Sequence, residues 1–214
     1  MRKAVLLGAS GLIGGFLLRR LLTEDSFDAV IIFSRKPIQI KHPKIQEIIT
    51  DFSQLQKSFP KIVCTDVFCC LGTTMAVAGS QAAFTQIDYD YPLLVANQAK
   101  TYGATGFWVI TTTNANPESP FFYSRIKGQL EQSLFSCHFE SLGVVRPSLL
   151  LGKRPKVRYG EMLMQWLLPK LHRIMLGKLR RYRAVSAEKV ADCLFRLSLN
   201  APKGCTIIES EAIL

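Results

Sequence analysis

No apolar run in this chain approaches the ~20 residues that a bilayer-spanning helix needs. No Cys-x-x-Cys pair occurs either. Six cysteines lie at 64, 69, 70, 137, 193 and 205, and three histidines stand apart at 42, 138 and 172. Metal-ligand spacing is therefore absent and no metal is expected. The thiols read as small buried apolar groups of a reducing compartment, with Cys69 and Cys70 the pair to follow because they end an apolar run. Repeats and low-complexity tracts are also missing. The opening MRKAVLL looks like a secretory leader, but it breaks at Gly8 and a glycine turn accounts for it better. The expectation is a cytoplasmic protein.

Acidic residues are scarce, 16 against 27 Lys/Arg, and the shortage is local. Residues 153–183 hold ten Lys/Arg and one acid, Glu161, so most of the net +11 sits there. Within that stretch Met162, Leu163, Trp166, Leu167 and Leu171 form an apolar helical stripe. One reading is a helix packed on the core with a solvated cationic rim. The other is a lobe that receives an acidic or acyl-bearing ligand, or touches anionic lipid as a peripheral membrane contact. Nucleic acid is not favoured, because no recognition motif or interleaved aromatic pattern accompanies the charge.

What is present begins at residues 5–15, VLLGASGLIGG. An apolar run from Ala4 to Leu7 stops at Gly8, and Gly11 and Gly14 follow at three-residue spacing. Leu12, Ile13, Phe16, Leu17, Leu21 and Leu22 then fall near one helical face. Strand, glycine turn and helix form the context of a dinucleotide-binding loop. In that reading Gly8 makes the turn, Gly11 clears the way for a pyrophosphate and Gly14 lets helix and strand pack closely. The loop and first turn, Gly8, Ser10, Gly11, Leu12, Ile13 and Gly14, supply N–H groups to the phosphates.

Strands and helices alternate from there. Short apolar runs at 29–34, 45–50, 67–72, 107–112, 142–147 and 205–210 read as strands, the fourth of them apolar on both faces. Helices are expected over 80–101, 121–135 and 186–199, the last with Ser186 as N-cap. That alternation predicts βαβ units and a doubly wound parallel sheet, an α/β class. The 214 residues suit a single domain, 1–214, with 153–183 as a basic, partly helical lobe.

Two further constellations carry chemistry. At the end of the second strand, Ser34, Arg35 and Lys36 stand where an acid would select NAD. Cations there suit the 2′-phosphate of NADP(H), with no carboxylate to repel it. Asp51 and Phe52 follow the third strand, where adenine would lie; Phe52 also reads as core. Leu71, Gly72, Thr73 and Thr74 follow the fourth strand at the switch point. Tyr123 and Lys127, four apart, share one face of a helix. A nearby ammonium makes a tyrosine a usable proton donor or acceptor, and the lysine can hold the nicotinamide ribose. A hydroxyl of Thr111–Thr113, with Thr112 at its centre, would bind the same substrate oxygen. Arg146, Pro147 and Ser148, after the sixth strand, would line the nicotinamide pocket.

These residues resemble the short-chain dehydrogenase/reductase superfamily. CLGTT (70–74), Ala78-Gly79, IDYDY (87–91), FFYSRIKG (121–128), VVRPSLLLGKR (144–154) and Arg158-x-x-Glu161 are similar to its atypical branch. That branch contains the mammalian Tat-interacting tumour-suppressor protein and bacterial NAD(P)-binding relatives. The resemblance implies an NADP(H)-binding Rossmann domain with a small C-terminal lobe. It also implies Tyr123 and Lys127 as the active pair, with a hydroxyl of the Thr111–Thr113 run as third member. Two departures stand out: Thr replaces the usual Ser, and Asp88 lies where fuller enzymes have Asn. The chain is also much shorter than the superfamily's sugar-nucleotide epimerases, which implies a reduced substrate lobe. The expected function is an NADP(H)-dependent oxidoreductase of a small carbonyl or hydroxyl substrate. The alternatives are a non-catalytic NADP(H)-sensing regulator and a nucleoside-diphosphate-sugar epimerase-like enzyme.

Overall fold

In the computed structural model, residues 2–55, 61–151 and 181–213 are described. The apolar runs become strands β1 (Arg2–Leu7), β2 (Phe27–Ser34), β3 (Ile45–Ile49), β4 (Asp66–Cys69), β5 (Gly106–Ile110) and β6 (Ser141–Arg146). Two short strands, β7 (Leu150–Leu151) and β8 (Val185–Ser186), pair with each other, and β9 (Gly204–Glu209) closes the main sheet. That sheet is parallel throughout, with order β3-β2-β1-β4-β5-β6-β9. The helices are α1 (Leu12–Thr23), α2 (Phe52–Leu55), α3 (Met75–Ala78), α4 (Gln81–Thr85), α5 (Tyr91–Thr101), α6 (Phe122–Phe135) and α7 (Ala187–Asn200).

Both faces of the sheet are covered, which is why its central strands carry apolar residues without alternation. Leu17, Leu18 and Leu21 of α1 and Val190 and Leu194 of α7 pack on Leu6, Ile32 and Trp108. Val95 and Ala99 of α5 and Leu130 and Leu134 of α6 pack on Leu7, Val67 and Val109. The strand order reverses at β1, between β2 and β4. The crevice above the carboxyl ends of β1 and β4 is therefore the place where such a sheet takes a ligand.

Gly8 has φ +80°, and a Cβ there would meet the Cys70 carbonyl oxygen at 2.6 Å. A Cβ on Gly14 would lie 2.1 Å from Gly8 O, so α1 can sit this close to the loop only with glycine there. At the amino ends of the central strands, Asp66 is buried and accepts Arg2 Nε at 3.0 Å and Trp108 Nε1 at 2.9 Å. Arg2 Nη2 donates to Asp66 Oδ1 at 2.7 Å and to the Ser198 carbonyl at 2.9 Å, tying α7 to the first strand.

The expected helix over 80–101 is not uniform. Residues Gln86–Asp90 form a π-helical turn between α4 and α5. Pro92 explains it: proline has no N–H to return to the Asp88 carbonyl, and its ring crowds that carbonyl, so the chain widens there. The fourth strand stops at Cys69 rather than 72, leaving 70–74 as loop. Ser186 caps α7 as expected, accepting from Lys189 N at 3.2 Å. Most of the basic 153–183 segment lies outside the described residues.

Candidate active site

The glycine loop offers what a diphosphate needs. The first-turn amides of Leu12, Ile13 and Gly14 have no acceptor within α1, whose first bond runs from Gly15 N to Gly11 O. Ser10 and Gly11 are exposed, and a Cβ on Gly11 would meet only Gly8 O, at 3.1 Å. The Ile13 side chain is buried in the core, so its contribution is its amide. A dinucleotide fits this cradle by both shape and donor set.

The end of β2 differs from expectation. Arg35 and Lys36 are exposed and make no ion pair among the described residues. However, Ser34 Oγ donates to Glu47 Oε1 at 2.7 Å, and Ile38 N donates to the same oxygen at 2.8 Å. The expectation that no carboxylate stands here is thus corrected. Glu47 arrives from β3 because parallel register sets Ile49 beside Ser34 and Glu47 two residues before it. Phe52 is corrected too: it is buried and stacks on Tyr91 with ring centroids 5.0 Å apart, so its side chain is core. Asp51 beside it is exposed.

Across the switch point, the π turn points Asp88 inward, where it is fully buried. Its Oδ2 accepts Thr73 N at 2.9 Å, fixing the 70–74 loop. Its Oδ1 lies 2.7 Å from Lys127 Nζ and has no hydrogen bond of regular geometry. Tyr89 OH and Ser133 Oγ, 2.9 Å apart, bind the same turn to α6. Burial acts to neutralise the Lys127 ammonium, but the facing Asp88, with Tyr123 and Cys69, outweighs it and holds the group above its usual range. The open side of the ion pair faces Gly72, whose absent Cβ would lie 3.6 Å from Asp88 Oδ1 and 3.9 Å from Lys127 Nζ. Leu71 packs against the core below.

Tyr123, one turn before Lys127, is 39% exposed, and its ring rests on Phe84. Its hydroxyl makes no hydrogen bond among the described residues. Gly128, not singled out from the sequence, lets α6 lie against Asn116 and Pro117; a Cβ there would meet Asn116 C at 2.2 Å. The two thiols at the strand end are inert: burial pushes Cys69 up to about 11 and Cys70 well above its ordinary value.

The three threonines are separated by their partners. Thr111 is buried and donates to Glu131 Oε1. Thr113 Oγ donates to the Arg146 carbonyl at 3.2 Å. Thr112 is half-buried and is the one of the three whose hydroxyl has no bond among the described residues. The Arg146 guanidinium is taken up by two carboxylates. Its Nε donates to Glu131 at 3.0 Å, Nη2 pairs with the same carboxylate, and Nη1 donates to Glu209 at 2.8 Å. Pro147 is buried, with its carbonyl taken by Thr113 N at 3.2 Å. Ser148 Oγ donates to the Arg183 carbonyl and lies 3.0 Å from Ser210 Oγ. These contacts brace the turn after β6.

A doubly wound sheet, a glycine loop at its switch point and a Tyr–Lys pair on the helix after β5 define an α/β fold of the short-chain dehydrogenase/reductase type. No family model matches the chain. Protein HTATIP2 of Rattus norvegicus is 34% identical over 166 residues, 76% of this chain and 68% of that protein. Protein FMP52, mitochondrial, of Meyerozyma guilliermondii is 33% identical over 154 residues, 71% of this chain and 66% of that one. The matched stretch thus spans about two-thirds of these curated relatives. The chain belongs to the atypical short-chain dehydrogenase/reductase branch that includes HTATIP2 and FMP52. Among solved structures, a short-chain dehydrogenase/reductase family oxidoreductase from Burkholderia thailandensis shares the fold at TM-score 0.73, with 16% identity, 99% of this chain and 92% of that one. MoeE5, in complex with UDP-glucose and NAD, does so at 0.70, with 15% identity, 96% of this chain and 74% of that one. The cytoplasmic expectation is corrected: six FMP52 relatives are named mitochondrial, which points away from a purely cytoplasmic location.

Proposed function

We propose that this chain is an NADP(H)-dependent oxidoreductase acting on a small carbonyl or hydroxyl compound. The observation that carries the reading is the pairing of a partly exposed Tyr123, its hydroxyl unbonded among the described residues, with a buried Lys127 held as a cation one turn away. A nicotinamide, when bound, supplies or accepts the hydride. The protein's share is the proton and the orientation. Tyr123 gives or takes the proton at the substrate oxygen, Thr112 donates a hydrogen bond to that oxygen, and Lys127 holds the ribose. Gly8–Gly14 cradle the diphosphate, while Leu71, Gly72 and Thr73 border the nicotinamide side. Residues 153–183, read as a lobe for an acidic or acyl-bearing substrate, belong to the same proposal.

Arg35 decides the nucleotide. Its free guanidinium favours the 2′-phosphate, whereas Glu47 beside Ser34 favours the bare ribose of NAD. NADPH is expected to bind about tenfold tighter than NADH, a difference of ~1.4 kcal/mol that one charge-assisted contact supplies. Calorimetry on wild type and Arg35→Ser checks it. Equal affinity for the two nucleotides in the wild type rejects the NADP assignment.

The threonines give a sharper comparison. Thr112→Val removes the free hydroxyl and is expected to lower turnover by about 10²-fold, the scale of one lost donor at a reacting oxygen. Thr113→Val removes a hydroxyl already spent on the Arg146 carbonyl and leaves turnover close to wild type. Steady-state rates, followed by NADPH absorbance over aldehydes, ketones and sugar nucleotides, compare them. The reverse ranking would place the third member at Thr113.

A further inference from the structure

Lys127 and Asp88 form a fully buried pair at the centre of the site, and two charges out of water demand a reason. The groups facing the ammonium are few. Asp88 comes from the π turn, Tyr123 from α6 itself and Cys69 from β4, whose thiol is neutral. Asp88 is thus the only carboxylate that meets it among the described residues. The same carboxylate takes the Thr73 amide at 2.9 Å, so one side chain joins the loop, the π turn and α6.

We propose that Asp88 is a positioning residue of this site: it keeps Lys127 a cation in a buried place and fixes it beside the 70–74 loop. A neutral amide at 88 would hold the loop equally well but would leave the ammonium without a counter-charge. The π turn that Pro92 imposes serves this role, since widening the helix at 86–90 carries residue 88 inward.

The test is Asp88→Asn, read by cofactor affinity and by melting, with the first arm alone resting on the oxidoreductase reading. Burial without Asp88 lowers the lysine's proton affinity, so Lys127 loses its charge as the pH rises. In Asp88→Asn, NADPH affinity is expected to stay near wild type at about pH 6.5 and to fall by about tenfold at about pH 9, while wild type changes little. Lys127→Met with and without Asp88→Asn should then show no such pH-dependent difference.

Ligand-free melting moves the opposite way. A lysine whose folded proton affinity is depressed binds fewer protons folded than unfolded, so stability rises with pH. The melting deficit of Asp88→Asn relative to wild type is therefore expected to shrink from about pH 6.5 to about pH 9. A purely structural role would give a constant deficit, and that result overturns the proposal. If Asp88→Asn does not fold, recovery of folding in Asp88→Asn/Lys127→Met supports it. A double variant that is equally unfolded overturns it, because an ammonium left without its counter-charge would then not be what unfolds Asp88→Asn. If NADPH binds no variant and not the wild type, the oxidoreductase reading fails while the melting comparison still decides the role of Asp88.

Discussion

Turnover by Tyr123→Phe is expected to fall by about 10²–10⁴-fold, the range of a lost acid–base group, with NADPH affinity nearly unchanged. The substitution removes one oxygen. The ring keeps its place against Phe84, with ring centroids 5.6 Å apart, and nothing in the described fold depends on the hydroxyl. Lys127→Ala behaves differently. It strips Asp88 of its partner inside the core and removes the proposed ribose donor, so affinity and stability are expected to fall together with the rate. Following NADPH absorbance over a panel of aldehydes, ketones and sugar nucleotides, with calorimetry on the same samples, separates the two. Wild-type rates in Tyr123→Phe would dismiss the tyrosine as proton donor. Tight NADPH binding with no turnover of any compound by wild type would favour a cofactor-sensing role.

The second large effect is one of stability. Arg146→Met leaves Glu131 buried and stripped of both its bonds to the guanidinium, and is expected to cost about 3 kcal/mol. The Glu131 pairing and the Glu209 bond hold the guanidinium above its ordinary range against the effect of burial, so this arginine is charged at any working pH. The added substitution Glu131→Gln removes the uncompensated charge while keeping an oxygen for the Thr111 hydroxyl. The double variant should recover part of the loss. Urea unfolding of the single and double variants measures both. A single variant within about 0.5 kcal/mol of wild type would show that the pair carries no net weight.

Local patterns made much of this legible. The glycine spacing, the apolar runs and the four-residue offset of Tyr123 and Lys127 are all short-range, and each became the expected element. Ser186 was readable for the same reason, since a cap bonds three residues ahead. What escaped reading depends on pairs far apart in the chain. Glu47 reaches Ser34 only through the register of β3 on β2, and Arg146 reaches Glu131 and Glu209 only once β6, α6 and β9 are assembled. The two-residue strands β7 and β8 carry no pattern at all and exist because they meet across 33 intervening residues. The π turn was hidden because a period near 3.6 and a slightly wider one differ little over five residues, although Pro92 was a visible signal of it. Phe52 was ambiguous from composition, and stacking on Tyr91 resolved it.

The contact between α1 and α7 has a bearing on synthesis. Leu17, Leu18 and Leu21 of α1 share a core with Val190, Ala191 and Leu194 of α7, and Arg20 grips Asp192 through two bonds of 2.7 and 3.1 Å. The helix that begins at the glycine loop is therefore roofed by a helix that starts only at Ala187. A nascent chain carries the glycine turn early, but the cover of α1 is complete only when residues 187–200 have left the ribosome and joined the sheet residues already beneath it. Docking of α7 is therefore a late step that completes the support of α1 on the sheet.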